Sequence, residues 1–370
     1  MIVWGGASRG RLFADGAAYD PATDRWRILA TAPIAGRTAQ TSVWTGAEMI
    51  VWGGCCERRG AEFGDGAAYN PASDSWRKLS PAPIGPRTSH TAVWTGDQML
   101  VWGGHVFEQE HSDGAAYDPE ANRWQSLPLP SIEPRYSHSA VWSGEAMIVW
   151  GGATMRPSVL ADGALLAGGW RPIKGVRPGR SSHTAVWTGS EMLVWGGCCD
   201  ASGRDLPGGA AYEPEDRRWR ALSDSGLGAR QAHVAVWANN RMIVWGGQGG
   251  LGERFADGAA YDSAADRWAE LPPSPLDERA GPTGVWTDDE LIVWGGCCDG
   301  GQRAFADGAG LLVPDAEPFS EVTPSEDAAE PPLEPRDADN GVGALIALGG
   351  IILLAVVVGF ARALRKRPAQ

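Results

Sequence analysis

Short apolar runs rich in Val, Ile and Trp alternate along the chain with segments rich in Gly, Asp and Pro. The phrase Val-Trp-Gly-Gly recurs seven times, and successive copies are 45 to 50 residues apart. Apolar runs of this kind, bounded by turn residues, are typical of β-strands. The pattern therefore predicts four strands per unit. In the second unit these strands cover Gln40 to Thr45, Glu48 to Gly53, Gly66 to Tyr69 and Ser75 to Leu79.

All nineteen Trp residues occupy three positions of this unit. The Val-Trp-Gly-Gly position holds Trp4, Trp52, Trp102, Trp150, Trp195, Trp245 and Trp294. Eight residues earlier lie Trp44, Trp94, Trp142, Trp187, Trp237 and Trp286. The third position holds Trp26, Trp76, Trp124, Trp170, Trp219 and Trp268. A unit of this size cannot bury so much apolar surface alone, so we expect it to stack on its own copies.

The order of motifs within each unit is Arg-x-x-His, Val-Trp, Val-Trp-Gly-Gly, Tyr-Asp-Pro and Trp. This order resembles the Kelch repeat, the blade motif also found in galactose-oxidase-type propellers, and it covers nearly all of residues 1–313. The resemblance implies an all-β fold, a seven-bladed Kelch-type β-propeller with four antiparallel strands per blade. We expect the blades near residues 1–30, 37–80, 87–128, 135–173, 180–223, 230–272 and 279–322.

The two ends of the repeat array are irregular. Met1 opens directly on a second strand, which predicts a first blade without its innermost strand. No segment near the end of the array resembles an innermost strand that would close the ring. We therefore expect the polypeptide to begin upstream, with the missing strand and an export signal. A first blade of three strands is the alternative.

The composition changes sharply after the propeller. Residues 314–340 hold six Pro, nine acidic residues and one Arg, which predicts a disordered stalk. Residues 341–361 carry no charge, and at 1.5 Å per residue a helix of this length spans a bilayer core, so they predict a transmembrane helix. Residues 362–370 carry four basic side chains, which favours a cytoplasmic tail and a single-pass protein with its propeller outside. The alternative is a cytosolic, tail-anchored propeller.

The formal charge of −13 argues against one class of partner. The stalk contributes −8 and the tail +4, which leaves −9 for the propeller. An acidic propeller lacks the basic footprint that nucleic acids require, so we expect no nucleic-acid partner.

Strand direction predicts one face of the propeller as the ligand-binding face, because strand 1 starts where strand 2 ends. An Arg enters strand 1 in six blades: Arg37, Arg87, Arg135, Arg180, Arg230 and Arg279. A His follows three residues later in four of them: His90, His138, His183 and His233. Tyr136 lies between Arg135 and His138. The Kelch resemblance implies that these positions and the strand 2–3 loops line the binding mouth. Packing between blades is the alternative role for each Arg and His.

The six cysteines form three adjacent pairs, and each pair opens a strand 2–3 loop. They are Cys55-Cys56, Cys198-Cys199 and Cys297-Cys298. Their blades are not neighbours, so pairing between blades exceeds the Cα distance that a disulfide bridges. The remaining choices are vicinal disulfides or free thiols. Four-ligand thiol metal sites are not indicated by this spacing, and we expect no metal and no cofactor.

Catalytic residues are not identified. No nucleophile motif, phosphate loop or dinucleotide fingerprint is present. The Tyr, His and Cys set of a copper oxidase does not carry over, because five of the six Tyr lie at the structural third-strand position. The sequence is typical of a membrane-anchored propeller that binds a protein or glycan outside the cytoplasm. The alternatives are a carbohydrate-active enzyme, similar to sialic acid mutarotase or galactose oxidase, and the cytosolic adaptor.

Overall fold

The computed structural model describes residues 1–56, 61–156, 158–199, 203–288, 290–297, 304–313 and 356–358. Within these ranges the chain forms seven antiparallel sheets of three or four strands, and each of these sheets is one blade of a ring. The innermost strands of successive blades pack side by side from blade 2 to blade 7. The predicted seven-bladed, all-β propeller is therefore confirmed.

The strands have the following bounds. Strand 1 is Thr41–Trp44, Thr91–Trp94, Ser139–Trp142, Thr184–Trp187, Val234–Ala238 and Thr283–Trp286 in blades 2 to 7. Strand 2 is Ile2–Trp4, Met49–Trp52, Met99–Trp102, Met147–Trp150, Met192–Trp195, Arg241–Trp245 and Glu290–Trp294. Strand 3 is Gly16–Asp20, Gly66–Asn70, Gly114–Asp118, Gly163–Leu166, Gly209–Glu213, Gly258–Asp262 and Gly308–Leu312. Strand 4 is Arg25–Ile28, Ser75–Lys78, Arg123–Ser126, Trp170–Ile173, Arg218–Ala221 and Arg267–Glu270 in blades 1 to 6.

Four of the strand 2–3 loops contain small elements of secondary structure. Short hairpins pair Ala7–Ser8 with Arg11–Leu12, His105–Val106 with Gln109–Glu110, and Ala153–Thr154 with Ser158–Val159. Blade 6 instead has a 3-10 turn at Gly250–Gly252. These loops all lie at one end of the propeller, because strand 2 ends there in every blade.

Turn residues set the strand ends in blade 2, where all predicted bounds are confirmed to within one residue. Gly46 turns the first hairpin with a φ of 94°, a conformation that Gly adopts without a steric penalty. Asp74 turns the second hairpin with a φ of 47°, and its carboxylate accepts a 2.6 Å hydrogen bond from the Tyr69 hydroxyl. Asp is among the residues that tolerate this left-handed conformation.

Pairs of Trp side chains link neighbouring blades at six of the seven junctions of the ring. The Trp of strand 2 contacts the strand 4 Trp of the following blade, with ring centroids 4.4 to 5.8 Å apart. The pairs are Trp4–Trp76, Trp52–Trp124, Trp102–Trp170, Trp150–Trp219, Trp195–Trp268 and Trp294–Trp26. Aromatic pairs at this separation contribute about 0.5–1.5 kcal/mol beyond their area burial. The repeated Trp thus builds the ring.

Blade 1 has an innermost strand, so the expectation that this strand is missing was wrong. Val356–Val358 forms that strand and pairs antiparallel with Ile2–Trp4. It also packs beside the innermost strands of blades 2 and 7. The three residues were predicted as part of a transmembrane helix, and here they form a β-strand instead. The physical reason is that a run of β-branched residues fits a strand, and it satisfies backbone groups along the open edge of Ile2–Trp4.

The remaining predictions for the C-terminal region lie outside the described residues. They are the stalk at 314–340, the rest of the helix at 341–361, the tail at 362–370 and a fourth strand of blade 7 near 319–322. Within the part of the chain that the structure describes, no α-helix has the length and apolarity needed to cross a lipid bilayer.

Candidate functional site

The loop face of the propeller consists of the strand 2–3 loops and the starts of the innermost strands. In six blades the first residue of the loop forms a β-bridge with the residue after the repeated Arg. The bridges are Thr38–Cys55, Thr88–His105, Tyr136–Ala153, Ser181–Cys198, Gln231–Gln248 and Ala280–Cys297. The structure thus brings together the three sets of residues that strand direction placed on one face.

The six repeated Arg side chains lie beneath this face and hold the loops in place. Five are fully buried, and Arg180 is 7% exposed. Arg87 is typical: its Nε donates to Gly85 O, while its Nη1 donates to Gly103 O at 3.1 Å and to Asp113 Oδ1 at 2.9 Å. Three of the six guanidinium groups also stack on a Phe of the loop, such as Arg230 on Phe255 at 3.9 Å.

The four His side chains link neighbouring blades. His90 Nε2 lies 2.8 Å from the Thr41 hydroxyl of the preceding blade, and its ring meets Trp52 edge-on at 5.2 Å. His138, His183 and His233 make the same bond at 2.7 to 2.9 Å. Burial, followed by the charge of Arg87, lowers the pKa of His90 to about 3. These rings are therefore neutral at physiological pH.

The Arg and His side chains are thus bonded within and between blades and lie below the molecular surface. This geometry supports the packing role for both sets. Their contact with a ligand stays a prediction, as it does for Tyr136, which is half-buried at the mouth.

An aromatic cluster lies where the loops of blades 3 and 4 meet. The His105 and Tyr136 rings are 4.8 Å apart and meet edge-on. Burial lowers the pKa of His105, and burial followed by the charge of Glu110 raises the pKa of Tyr136. Beside them Phe107 is 67% exposed. Its φ is 47°, which is a rare conformation for a bulky side chain.

Carboxylates fix the loops of this cluster to their neighbours. Glu62 of blade 2 accepts a 3.2 Å hydrogen bond from the Phe107 backbone N–H. Glu110 of blade 3 accepts one from the Met155 backbone N–H of blade 4 at 3.3 Å. Phe107, Glu62 and Glu110 were not among the binding residues predicted from the sequence. The sequence carried one signal for this cluster: Phe107 is a large apolar residue inside a charged loop of blade 3.

Each cysteine pair lies at the start of a strand 2–3 loop, in blades 2, 5 and 7. In the structure Cys55 is joined to Cys56 and Cys198 to Cys199 as vicinal disulfides, and Cys297 is also disulfide-bonded. Cys298 lies outside the described residues. The first Cys of each pair is buried and forms the bridge to the innermost strand. Each disulfide therefore belongs to the rim of the loop face.

A recess of about 580 Å³ lies at the other end of the central channel, where the innermost strands finish. It is lined by Trp, Val, Ala and Gly, including Trp94, Trp142 and Trp187. Among the residues that the structure describes, no acid or base lines this recess, and proton-transfer chemistry requires such groups. Within the described ranges, no group of three or more His, Cys, Asp or Glu side chains is arranged to hold a metal ion.

A ring of seven antiparallel blades with repeated loop bridges and repeated Trp pairs between blades defines a Kelch-type propeller. The model of the KLHDC2/KLHL20/DRC7 Kelch-repeats domain matches residues 1–166 and 182–336, so the chain belongs to this Kelch-repeat family. A search of curated proteins gave no match. Membership of a Kelch-repeat family indicates a protein-binding module.

Proposed function

We propose that this protein binds a partner protein through the loop face, with Phe107 as an anchor. The observation that carries this proposal is an exposed Phe held in an unfavourable backbone conformation. A left-handed conformation costs about 1–2 kcal/mol for a residue with a Cβ. Such strain persists only where surrounding contacts enforce it, and it clusters at binding sites.

The neighbours of Phe107 supply that enforcement. Its N–H donates to Glu62 of the adjacent blade, and its carbonyl oxygen lies 3.3 Å from His105 Nδ1. The ring is presented to solvent on a loop that is hydrogen-bonded to the blade on each side, through Glu62 of blade 2 and Met155 of blade 4. A rigid exposed aromatic loses little conformational entropy on binding, and aromatic anchors of this kind carry much of the affinity in protein interfaces.

Site-specific photocrosslinking tests this proposal. A photoreactive phenylalanine analogue at position 107 is compared with the same analogue at Asp97, which is exposed on the opposite face. We expect position 107 to capture a discrete partner that position 97 does not. Phe107→Ser should then weaken binding of the purified partner by at least tenfold. Capture of the same proteins at both positions would contradict the proposal.

A glycan carried by the partner is the second ligand class that we consider. The half-buried Tyr136 beside His105 offers an apolar ring with a hydroxyl, which suits a sugar as well as a peptide. Enzymatic removal of glycans from the captured partner separates the two classes. Binding that survives deglycosylation assigns recognition to the polypeptide, whereas binding that is lost assigns it to the glycan.

Membrane attachment with the propeller outside the cytoplasm is also a proposal. It is supported by the 21 uncharged residues at 341–361, by the basic residues that follow, and by the vicinal disulfides, which are typical of an oxidising compartment. The strand at Val356–Val358 uses part of the same segment, so this proposal requires that strand to leave the ring when the segment inserts into the membrane. Carbonate extraction of membranes tests it, since an inserted protein stays in the pellet.

A further inference from the structure

The repeated Arg residues have a carboxylate partner in five blades. In each of these blades the Asp that opens strand 3 approaches the guanidinium group to between 2.7 and 3.1 Å. The pairs are Arg37–Asp65, Arg87–Asp113, Arg135–Asp162, Arg230–Asp257 and Arg279–Asp307. The Arg is fully buried in all five, while the Asp is 40% to 57% exposed. Each carboxylate thus covers a buried cation on its solvent side.

Blade 5 lacks this carboxylate, because Gly208 occupies the position of the Asp. Arg180 instead donates to the carbonyl oxygens of Gly196, Gly208 and Pro207 at 2.8 to 3.1 Å. These acceptors are neutral, so they satisfy hydrogen bonds without balancing the charge. Among the residues that the structure describes, no carboxylate forms an ion pair with Arg180. Burial lowers its pKa to about 10.

Open space adjoins Gly208, which has a φ of 65°. A Cβ built on Gly208 would have no heavy atom within 4 Å. Arg180 is also 7% exposed, whereas the five paired Arg residues are fully buried. Leu206 takes the loop position that Phe255 fills in blade 6, so no Phe stacks on this guanidinium group among the described side chains.

We propose that Arg180 is an anion site that receives a carboxylate of the bound partner, in the place that Asp fills in the other blades. This inference rests on the proposed role of the loop face in protein binding, and it adds the chemistry of one contact. A buried cation without a counter-charge is unfavourable, and a charge-assisted hydrogen bond to a carboxylate is about twice as strong as a neutral one. The carboxylate comes either from an acidic side chain or from a chain terminus.

Blade 4 provides a matched control. Arg135 donates to Gly151 O and to Asp162 O, and its loop carries Leu160 where blade 5 has Leu206. Asp162→Gly therefore gives blade 4 the arrangement of blade 5. We expect this variant to gain a second anion site. Arg180→Gln should remove the first site.

Titration of the full chain with isotopically labelled acetate, followed by NMR at constant ionic strength, measures both effects. We expect one bound acetate in the unaltered protein, at least tenfold weaker binding in Arg180→Gln, and two in Asp162→Gly. Equal acetate binding by Asp162→Gly and the unaltered protein would overturn the proposal, even if Arg180→Gln fails to fold. No acetate bound to the unaltered protein would overturn it as well.

Two acetate analogues separate the sources of the carboxylate. N-acetylglycine presents a terminal carboxylate, and N-acetylglutamate α-amide presents a side-chain carboxylate. The analogue that binds more tightly identifies the source of the partner's carboxylate. None of these measurements uses the partner, so they report on Arg180 independently of the crosslinking at Phe107. Acetate binding without crosslinking contradicts the proposed function alone, and crosslinking without acetate binding contradicts the anion site alone.

Discussion

Trp26 on the outer strand of blade 1 packs against Trp294 of blade 7, with ring centroids 4.4 Å apart and ring planes tilted by 51°. It is the shortest of the six Trp pairs between blades. Around this junction Met1 packs against Val285 and Ile292. The last and first blades are therefore joined by side chains as well as by the strand at Val356–Val358.

Removal of the Trp26 ring should weaken this junction. We expect Trp26→Ala to lower the free energy of unfolding by about 1–2 kcal/mol, because an aromatic pair and part of its buried area are lost. Urea denaturation followed by circular dichroism measures the change. Ile28→Ala on the same strand is the control, because that side chain is 80% exposed and should change stability by less than about 0.5 kcal/mol. Equal effects of the two substitutions would refute a closing role for Trp26.

The buried His residues should make stability fall in acid. His233 has a pKa of about 3 in the folded protein, mainly through burial, whereas an unfolded His has a pKa of about 6.5. The unfolded state therefore binds more protons between these values, and stability decreases as the pH falls from about 6.5 to about 3. Each such His contributes a slope of up to about 1.4 kcal/mol per pH unit.

Blade 2 supplies the matched substitution for this test, since Gln40 takes the position of the His and donates to Trp4 O at 3.2 Å. We expect His233→Gln to fold and to show a shallower loss of stability between pH 6 and pH 4.5. Urea midpoints at a series of pH values measure the slope. A slope identical to that of the unaltered protein would show that His233 is not neutral in the folded state.

Substitution of two glycines of blade 2 distinguishes the cost of backbone strain from the cost of side-chain crowding. Gly53 has a φ of 70°, and a Cβ there would lie 2.6 Å from the His90 ring. Gly46 has a φ of 94°, with nothing within 4 Å of a Cβ. We expect Gly46→Ala to cost about 1 kcal/mol and Gly53→Ala to cost about 1–3 kcal/mol more. Thermal unfolding of both variants compares them, and equal losses would exclude crowding by His90.

The vicinal disulfides predict a simple labelling result. Alkylating reagents attack thiolates, so bonded sulfurs do not react. We expect Cys55, Cys56, Cys198 and Cys199 to remain unmodified when the native protein is treated with iodoacetamide, and to be labelled after reduction. Peptide mass spectrometry reads each site. Labelling of these four residues without reductant would mean that they are free thiols.

Repetition made most of the fold predictable. Seven copies of one pattern identify the strands, and the bounds in blade 2 are correct to within one residue because Gly46 and Asp74 mark its turns. The ligand-facing residues were less predictable. Arg37 and His90 recur with the repeat, and recurrence alone does not distinguish a side chain that lines the mouth from one that fastens two blades.

The closing strand could not be predicted for a related reason. The Val-rich run that contains Val356–Val358 suits a buried strand or an apolar helix equally well by composition. Which one forms depends on whether an unpaired strand edge lies within reach. That edge belongs to Ile2–Trp4, more than 300 residues earlier in the chain.

The sequence by itself determined the number of blades, the strands within each blade, the face that carries the loops and the adjacency of the cysteines, because each is a local or periodic property. The tertiary structure decided which side chains are covered and which are exposed. It buried the repeated Arg and His, exposed Phe107 and, within the described part of the chain, left Arg180 without an ion-paired carboxylate. Burial and charge balance depend on neighbours from other blades, which no local pattern contains.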